Sequence, residues 1–134
     1  MKEFRQTYIL QDDLEAINRL QFVSVDKNSN FGLKTENGLL VGSHEWFSAI
    51  ETARIKKQTI KGEISRIFMS GHNDYPEFEM ESCGVKTNWP REGKDDHYKV
   101  GKKIELTYVT QKFKRPKDIF GTTTKLIIEI RIEK

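Results

Sequence analysis

Cysteine, proline and long apolar runs are all scarce in this sequence. Its 134 residues include one cysteine, Cys83, and three prolines. A single cysteine excludes an internal disulfide and a structural zinc site built from several cysteines. No run of about 18 apolar residues occurs, so the sequence predicts no membrane-spanning helix. The stability of the fold must therefore come from an apolar core, which a chain of this length can bury.

Targeting and catalytic signatures are missing as well. The N-terminal stretch MKEFRQTYILQDD has neither an apolar segment of signal-peptide length nor a small-residue cleavage site, and we therefore expect a cytoplasmic protein. The sequence contains no GxxxxGK[ST], GxGxxG, GxSxG, HExxH or paired CxxC pattern. These absences favour a protein that is not an enzyme and that uses no cofactor.

Charge is abundant and unevenly distributed. Charged residues make up 32% of the chain and hydrophobic residues 36%, with a net charge of +3. Residues 1–53 carry five basic and eight acidic residues, a net −3, whereas residues 54–134 carry eighteen and twelve, a net +6. A basic half favours a nucleic acid or an acidic protein as partner. The alternative is a solvated surface that keeps the protein soluble.

Alternation of apolar and polar residues dominates the second half of the chain. It runs from Thr59 to Lys114 and again from Thr123 to Glu133, interrupted by turn-forming residues. This pattern predicts five antiparallel strands from Ile60 onward. The apolar positions change parity near Ser65-Arg66, which predicts a bulge in the first of these strands. Gly62 in the same strand allows another backbone to approach closely.

The N-terminal half mixes helical and extended patterns. Apolar spacing and capping residues predict a short helix from Asp13 to about Leu20 and a second from Ser43 to about Arg54. Short strands are predicted at Phe22–Val25, Phe31–Thr35 and Leu39–Val41, joined by polar turns.

Together these elements predict an α+β protein that is mainly β. We expect a small antiparallel β-barrel, similar to the oligonucleotide/oligosaccharide-binding (OB) barrel, or a strongly curved sheet. One or two short N-terminal helices would accompany it. We expect one domain, residues 1–134, in which residues 1–56 form an α/β segment packed on a barrel or sheet of residues 57–134.

A basic run with interleaved aromatic residues gives the first hypothesis about function. Lysine and arginine attract phosphates, and aromatic rings stack on bases. We therefore predict binding of single-stranded nucleic acid or another polyanion through a basic face. The alternatives are an exposed solvated loop and, for Trp89, a place in the core. The candidate residues are Trp89, Arg91, Lys112, Phe113, Lys114, Arg115, Lys117 and Phe120.

A second polar cluster contains histidine and aspartate. His72, Asp74 and His97 can act as acid/base groups or bind a metal if their loops converge. The simpler interpretation, which we favour, is a set of turn-forming residues with no metal site, because no diagnostic ligand spacing accompanies them.

Two alternatives to nucleic-acid binding stay open at this point. The first is a protein-protein interaction module, such as a small inhibitor or an immunity-type protein that blocks a partner. The second is an enzyme or metal-binding protein that uses the loop histidines and aspartate. The sequence does not determine the oligomeric state.

Overall fold

The computed structural model describes residues 3–26, 32–35, 38–71, 74–117 and 121–134, with side chains except at 114–117 and 121–122. Within these residues the chain forms six β-strands and two α-helices. The strands are β1 (Phe4–Ile9), β2 (Lys57–Met69), β3 (Pro76–Ser82), β4 (Val85–Pro90), β5 (Lys103–Lys117) and β6 (Gly121–Glu133). The helices are α1 (Leu14–Val25) and α2 (His44–Glu51). The prediction of a mainly β protein with two N-terminal helices is confirmed.

The strands form one antiparallel sheet in the order β1-β6-β5-β2-β3-β4. The five strands predicted after Ile60 are present as β2 to β6, and β1 adds a sixth beside β6. The sheet is open, with β1 and β4 as its two edges. The sheet therefore does not close into the predicted OB-like barrel, because β1 and β4 do not pair with each other among the described residues.

The chain divides into two compact units. Unit 1 contains residues 1–9, 59–107 and 129–134, and unit 2 contains residues 10–58 and 108–128. The predicted single domain, with residues 1–56 packed on residues 57–134, stays a prediction.

Each unit has its own set of buried apolar side chains. In unit 1 they include Ile64, Phe78, Met80, Trp89, Tyr98, Ile104, Leu106, Ile130 and Ile132. In unit 2 they include Leu10, Ile17, Leu33, Val41, Trp46, Ala49, Ile50, Tyr108, Val109 and Ile127. In β6 the alternation predicts a buried Ile128, but Ile127 is the buried neighbour and Ile128 is partly exposed.

The predicted bulge in β2 is present. The register of β2 on β3 shifts between Ile64 and Arg66, so Ser65 is the extra residue. Its hydroxyl donates to the carboxylate of Glu79 over 2.9 Å. At Gly62 a Cβ atom would lie 2.3 Å from the carbonyl oxygen of Glu81, so only glycine permits this approach of the two strands.

The β3–β4 hairpin follows the predicted alternation. Phe78 and Met80 are fully buried, while Glu81 on the other face is exposed and pairs in register with Lys86. The connecting residues Cys83 and Gly84 both have positive φ, at 52° and 81°. A type I′ turn requires such values at its two central residues.

The segment after β4 lies against β1 within unit 1. The amide of Lys94 donates to the carbonyl of Thr7 over 3.2 Å. Gly93 has φ +78°, and a Cβ there would lie 2.0 Å from the same carbonyl oxygen. The ring of Tyr98 packs on Phe78, with centroids 5.0 Å apart. A loop rather than a strand pairing therefore covers this part of the unit 1 core.

The two helices begin where their capping residues predict. Ser43 accepts a hydrogen bond from the amide of Trp46 over 3.2 Å at the start of α2. Trp46 is buried, and its indole N–H donates to Gln111 over 3.4 Å. Asp13 accepts from the amide of Ala16 over 3.1 Å at the start of α1.

The predictions for the segments after these caps were less accurate. The strand predicted at Phe22–Val25 is wrong, because α1 continues to Val25. In the described part of Phe31–Thr35, Leu33 forms an isolated bridge with Phe113 instead of a full strand. Phe31 and the turn residues Glu36 and Asn37 lie outside the described residues.

Candidate protein-interaction surface

The C-terminal half of α1 is held by a polar contact and by close backbone packing. Ser24 is buried, and its hydroxyl accepts a hydrogen bond from the amide of Leu33 over 2.9 Å. A Cβ on Gly32 would lie 2.2 Å from the carbonyl oxygen of Val23. Residues 32–33 therefore lie directly against one side of the helix.

The middle of α1 is held on the same side by residues 41–42. The side-chain amide of Gln21 donates to the carbonyl of Val41 over 3.1 Å. Ile17 is buried, and a Cβ on Gly42 would lie 2.9 Å from its Cγ2 atom. Both halves of the helix are thus fixed to the rest of unit 2 along one side.

Other positions on α1 expose large apolar side chains. Leu14 is 69% exposed, Phe22 68% and Val25 61%. At 100° per residue, Val25 lies about 20° and Phe22 about 80° around the helix from Leu14, so all three share one side. We call these three residues the α1 apolar face. The polarity of the helix is mixed, because it buries Ser24 as well as Ile17 and exposes these three apolar side chains along with Glu15 and Arg19.

Acidic residues accompany the α1 apolar face. Residues 10–26 carry four acidic residues and one basic residue, a net −3, in a chain of net +3. Asp12 and Glu15 are exposed near the N-terminal end of the helix. Arg19 pairs with Glu15 over 3.3 Å, and both side chains are largely exposed. The N-terminal end of α1 is therefore acidic.

Unit 1 presents a different surface, on which opposite charges alternate across the strands. Lys103 pairs with Glu63 over 2.9 Å, and this hydrogen bond raises the pKa of Lys103. Glu105 lies 3.8 Å from Lys61 and 3.7 Å from Arg131. These basic side chains lie beside carboxylates and do not form a continuous basic patch.

An open cavity of about 550 Å³ adjoins these charges in unit 1. Glu63 and Glu81, both on its lining, face each other across the β2–β3 pair. The remaining lining residues are Phe4, Lys61, Gly62, Ser65, Ser82, Cys83, Gly84, Lys103, Ile104 and Glu105.

Two of the predicted nucleic-acid contacts lie in internal packing. Trp89 is 6% exposed, and its indole N–H donates to Thr87 over 2.8 Å. The side chain of Arg91 is 11% exposed and pairs with Asp95 over 2.9 Å. It also donates to the carbonyl of Phe68 over 3.3 Å. Trp89 thus takes the alternative place in the core.

The basic run between the last two strands is only partly described. Lys112 is exposed, and its carbonyl accepts from the amide of Lys34 over 2.8 Å. Phe113 is partly exposed at its bridge with Leu33. The backbone of Lys114, Arg115 and Lys117 belongs to β5, but their side chains lie outside the described part of the structure. Phe120 lies outside it altogether.

The structure brings the weak metal candidates into no common site among the described residues. Asp74 is exposed with φ 48°, and His72 lies outside the described part. His97 Nδ1 lies 3.0 Å from the hydroxyl of Thr7. Burial and the nearby Arg5 charge lower the pKa of His97. In the part of the chain that the structure describes, no three His, Cys, Asp or Glu side chains are placed to hold a metal ion.

Sequence reasoning missed the α1 apolar face, although the sequence contains a signal for it. Leu14, Phe22 and Val25 are spaced so that a continuous helix brings them to one side. The prediction of a strand at Phe22–Val25 placed two of the three outside the helix and hid this spacing.

The described part of the chain is thus a mainly β fold with an exposed apolar helix face, as expected of a protein-binding module. No described helix is long and apolar enough to span a membrane. A sequence model of the family Immunity protein RhsI2 matches residues 3–133, which is nearly the whole chain. The chain belongs to this family. No curated protein matches the sequence.

This membership corrects the first functional hypothesis. Binding of single-stranded nucleic acid or another polyanion as the main function is wrong, since the family consists of immunity proteins. The alternative of an immunity-type protein-protein interaction module is the one that the family supports, and its partner is a protein.

Proposed function

We propose that this protein binds a cognate toxin and neutralises it by forming a stable complex. The observation that carries this proposal is the family match over residues 3–133. The exposed apolar face of α1 supports it, because apolar surface of this kind commonly marks a protein interface. We further propose that the complex forms in the cytoplasm.

Neutralisation by binding makes a quantitative demand on the complex. An inhibitor that acts at nanomolar cellular concentrations needs a Kd of about 1 nM or below, which corresponds to roughly −12 kcal/mol. Affinity in this range is reached by interfaces of about 800 Å² per partner when a few residues are well packed.

Mixing the purified protein with its purified cognate toxin tests this proposal. We expect a complex in size-exclusion chromatography that survives nuclease treatment, and a Kd of about 1 nM or tighter in a titration. A toxin of unrelated sequence serves as the control and should elute separately. Co-expression should also restore growth to cells that make the cognate toxin.

Two results would reject the proposal. One is separate elution of the protein and its cognate toxin at micromolar concentration. The other is toxin-induced growth arrest that persists when the protein is present in excess. Cell fractionation tests the location independently, because recovery of the complex outside the cytoplasmic fraction would contradict the cytoplasmic proposal.

A further inference from the structure

We propose that the α1 apolar face is the surface that docks the toxin. This inference rests on the proposed function and adds the chemistry of the contact. The matching toxin surface would be an apolar depression that receives Phe22, bordered by cationic side chains that face the acidic N-terminal end of α1.

The first argument is the amount of apolar surface that the helix exposes. A surface helix is expected to bury its apolar side and expose its polar side. Ile17 is buried as expected, but Leu14, Phe22 and Val25 are each more than 60% exposed. A partner that covers these three side chains would remove this apolar surface from water.

The second argument is the size of the face. Leu14 and Val25 are about 16 Å apart along the helix axis, with Phe22 between them in sequence. A Phe side chain at this exposure presents on the order of 100–170 Å² of apolar surface. An exposed aromatic side chain of this size is the kind of residue that often dominates the binding energy of an interface.

The third argument is charge complementarity. Segment 10–26 has a net charge of −3, although the chain as a whole is positively charged. Exposed Asp12 and Glu15 lie at the N-terminal end of the helix, and Arg19 sits one turn away, paired with Glu15. A partner with cationic groups around its apolar depression fits this arrangement and would be steered towards it.

The fourth argument is the fixed position of the helix. Ser24 and Gln21 hold one side of the helix to the rest of unit 2 through hydrogen bonds of 2.9 and 3.1 Å. Gly32 and Gly42 let the neighbouring backbone pack directly on that side. Binding would therefore require little ordering of α1, which reduces the entropic cost of association.

Alanine substitutions with matched controls test the inference. Phe22→Ala and Leu14→Ala remove exposed side chains of α1, whereas Val85→Ala and Val100→Ala remove side chains of similar exposure, 62% and 64%, in unit 1. We expect Phe22→Ala to weaken binding of the purified cognate toxin about 30-fold and Leu14→Ala about tenfold. The two controls should stay within about twofold of the wild type.

The charge component has its own measurement. Asp12→Asn with Glu15→Gln should lower the association rate several-fold at low salt and leave the dissociation rate nearly unchanged. Circular dichroism of each variant should match the wild type, because the altered side chains are exposed.

The outcomes separate this inference from the proposed function. If the wild type does not bind its toxin, the proposed function fails and this inference fails with it. If the wild type binds tightly and both α1 alanine variants bind equally well, the inference alone is overturned. It is also overturned if Phe22→Ala dissociates a homodimer without weakening toxin binding, because the face would then belong to a second copy of the chain.

Discussion

Gly93 provides a sharp test of how the loop after β4 is held on β1. Its φ is +78°, and a Cβ at this position would lie 2.0 Å from the carbonyl oxygen of Thr7. That carbonyl accepts the amide of Lys94 over 3.2 Å. Gly93→Ala should therefore push the loop away from β1 and break this hydrogen bond.

A matched control separates this clash from backbone strain. Gly84 has φ +81°, close to that of Gly93, and a Cβ there would meet no atom within 4 Å. Both alanine variants incur the cost of a left-handed conformation, about 1–2 kcal/mol. Only Gly93→Ala should also lose the Lys94–Thr7 hydrogen bond and the packing of the loop on β1. This loss should lower the free energy of unfolding by a further ~1–3 kcal/mol. The melting temperatures should then differ by about 4–12 °C.

Urea unfolding of the two variants measures this difference in the free energy of unfolding. Hydrogen exchange localises it, because the amide of Lys94 should lose protection in Gly93→Ala and keep it in Gly84→Ala. Equal destabilisation of the two variants, with a protected Lys94 amide in both, would show that the loop does not depend on its close approach to β1.

Three further predictions concern the core, a helix cap and a histidine. Trp46→Ala should lower the free energy of unfolding by about 3–5 kcal/mol, measured by urea unfolding, because the ring is fully buried. Asp13→Ala should cost about 1 kcal/mol in the same assay, since it removes the acceptor for the amide of Ala16. The lowered pKa of His97 means that the unfolded chain binds its proton more readily. Stability should therefore fall as pH drops below about 6.5 and rise again towards neutral pH. The difference between the wild type and His97→Gln in the pH dependence of the unfolding free energy measures the contribution of His97.

The sequence predicted best those parts of the fold that local patterns determine. The alternation around Phe78 and Met80 fixes which side of β3 is buried, because successive side chains point to opposite faces. The parity change near Ser65 located the bulge for the same reason. The start of α2 at Ser43 follows from the sequence because a helix cap depends on a few neighbouring residues.

Non-local contacts explain what the sequence did not reveal. Phe22–Val25 contains two β-branched residues and a phenylalanine, which favour a strand when considered alone. In the structure Ser24 of this segment bonds to Leu33, and Val23 packs on Gly32, which stabilises the helical alternative. The closure of the sheet also depends on non-local contacts. Whether β1 pairs with β4 or is covered by a loop is decided by residues more than 80 positions apart.

The charge pattern shows why composition led to the wrong partner. The excess of basic residues after position 54 is real, but Lys61 and Lys103 lie next to glutamates on adjacent strands. A basic excess in the sequence attracts a polyanion only if the fold leaves the charges together on one surface. The α1 apolar face, in the half of the chain with fewer basic residues, instead places three exposed apolar side chains on one helix. A protein partner that covers Phe22 accounts for that area directly, whereas the net charge of −3 on segment 10–26 disfavours a nucleic acid.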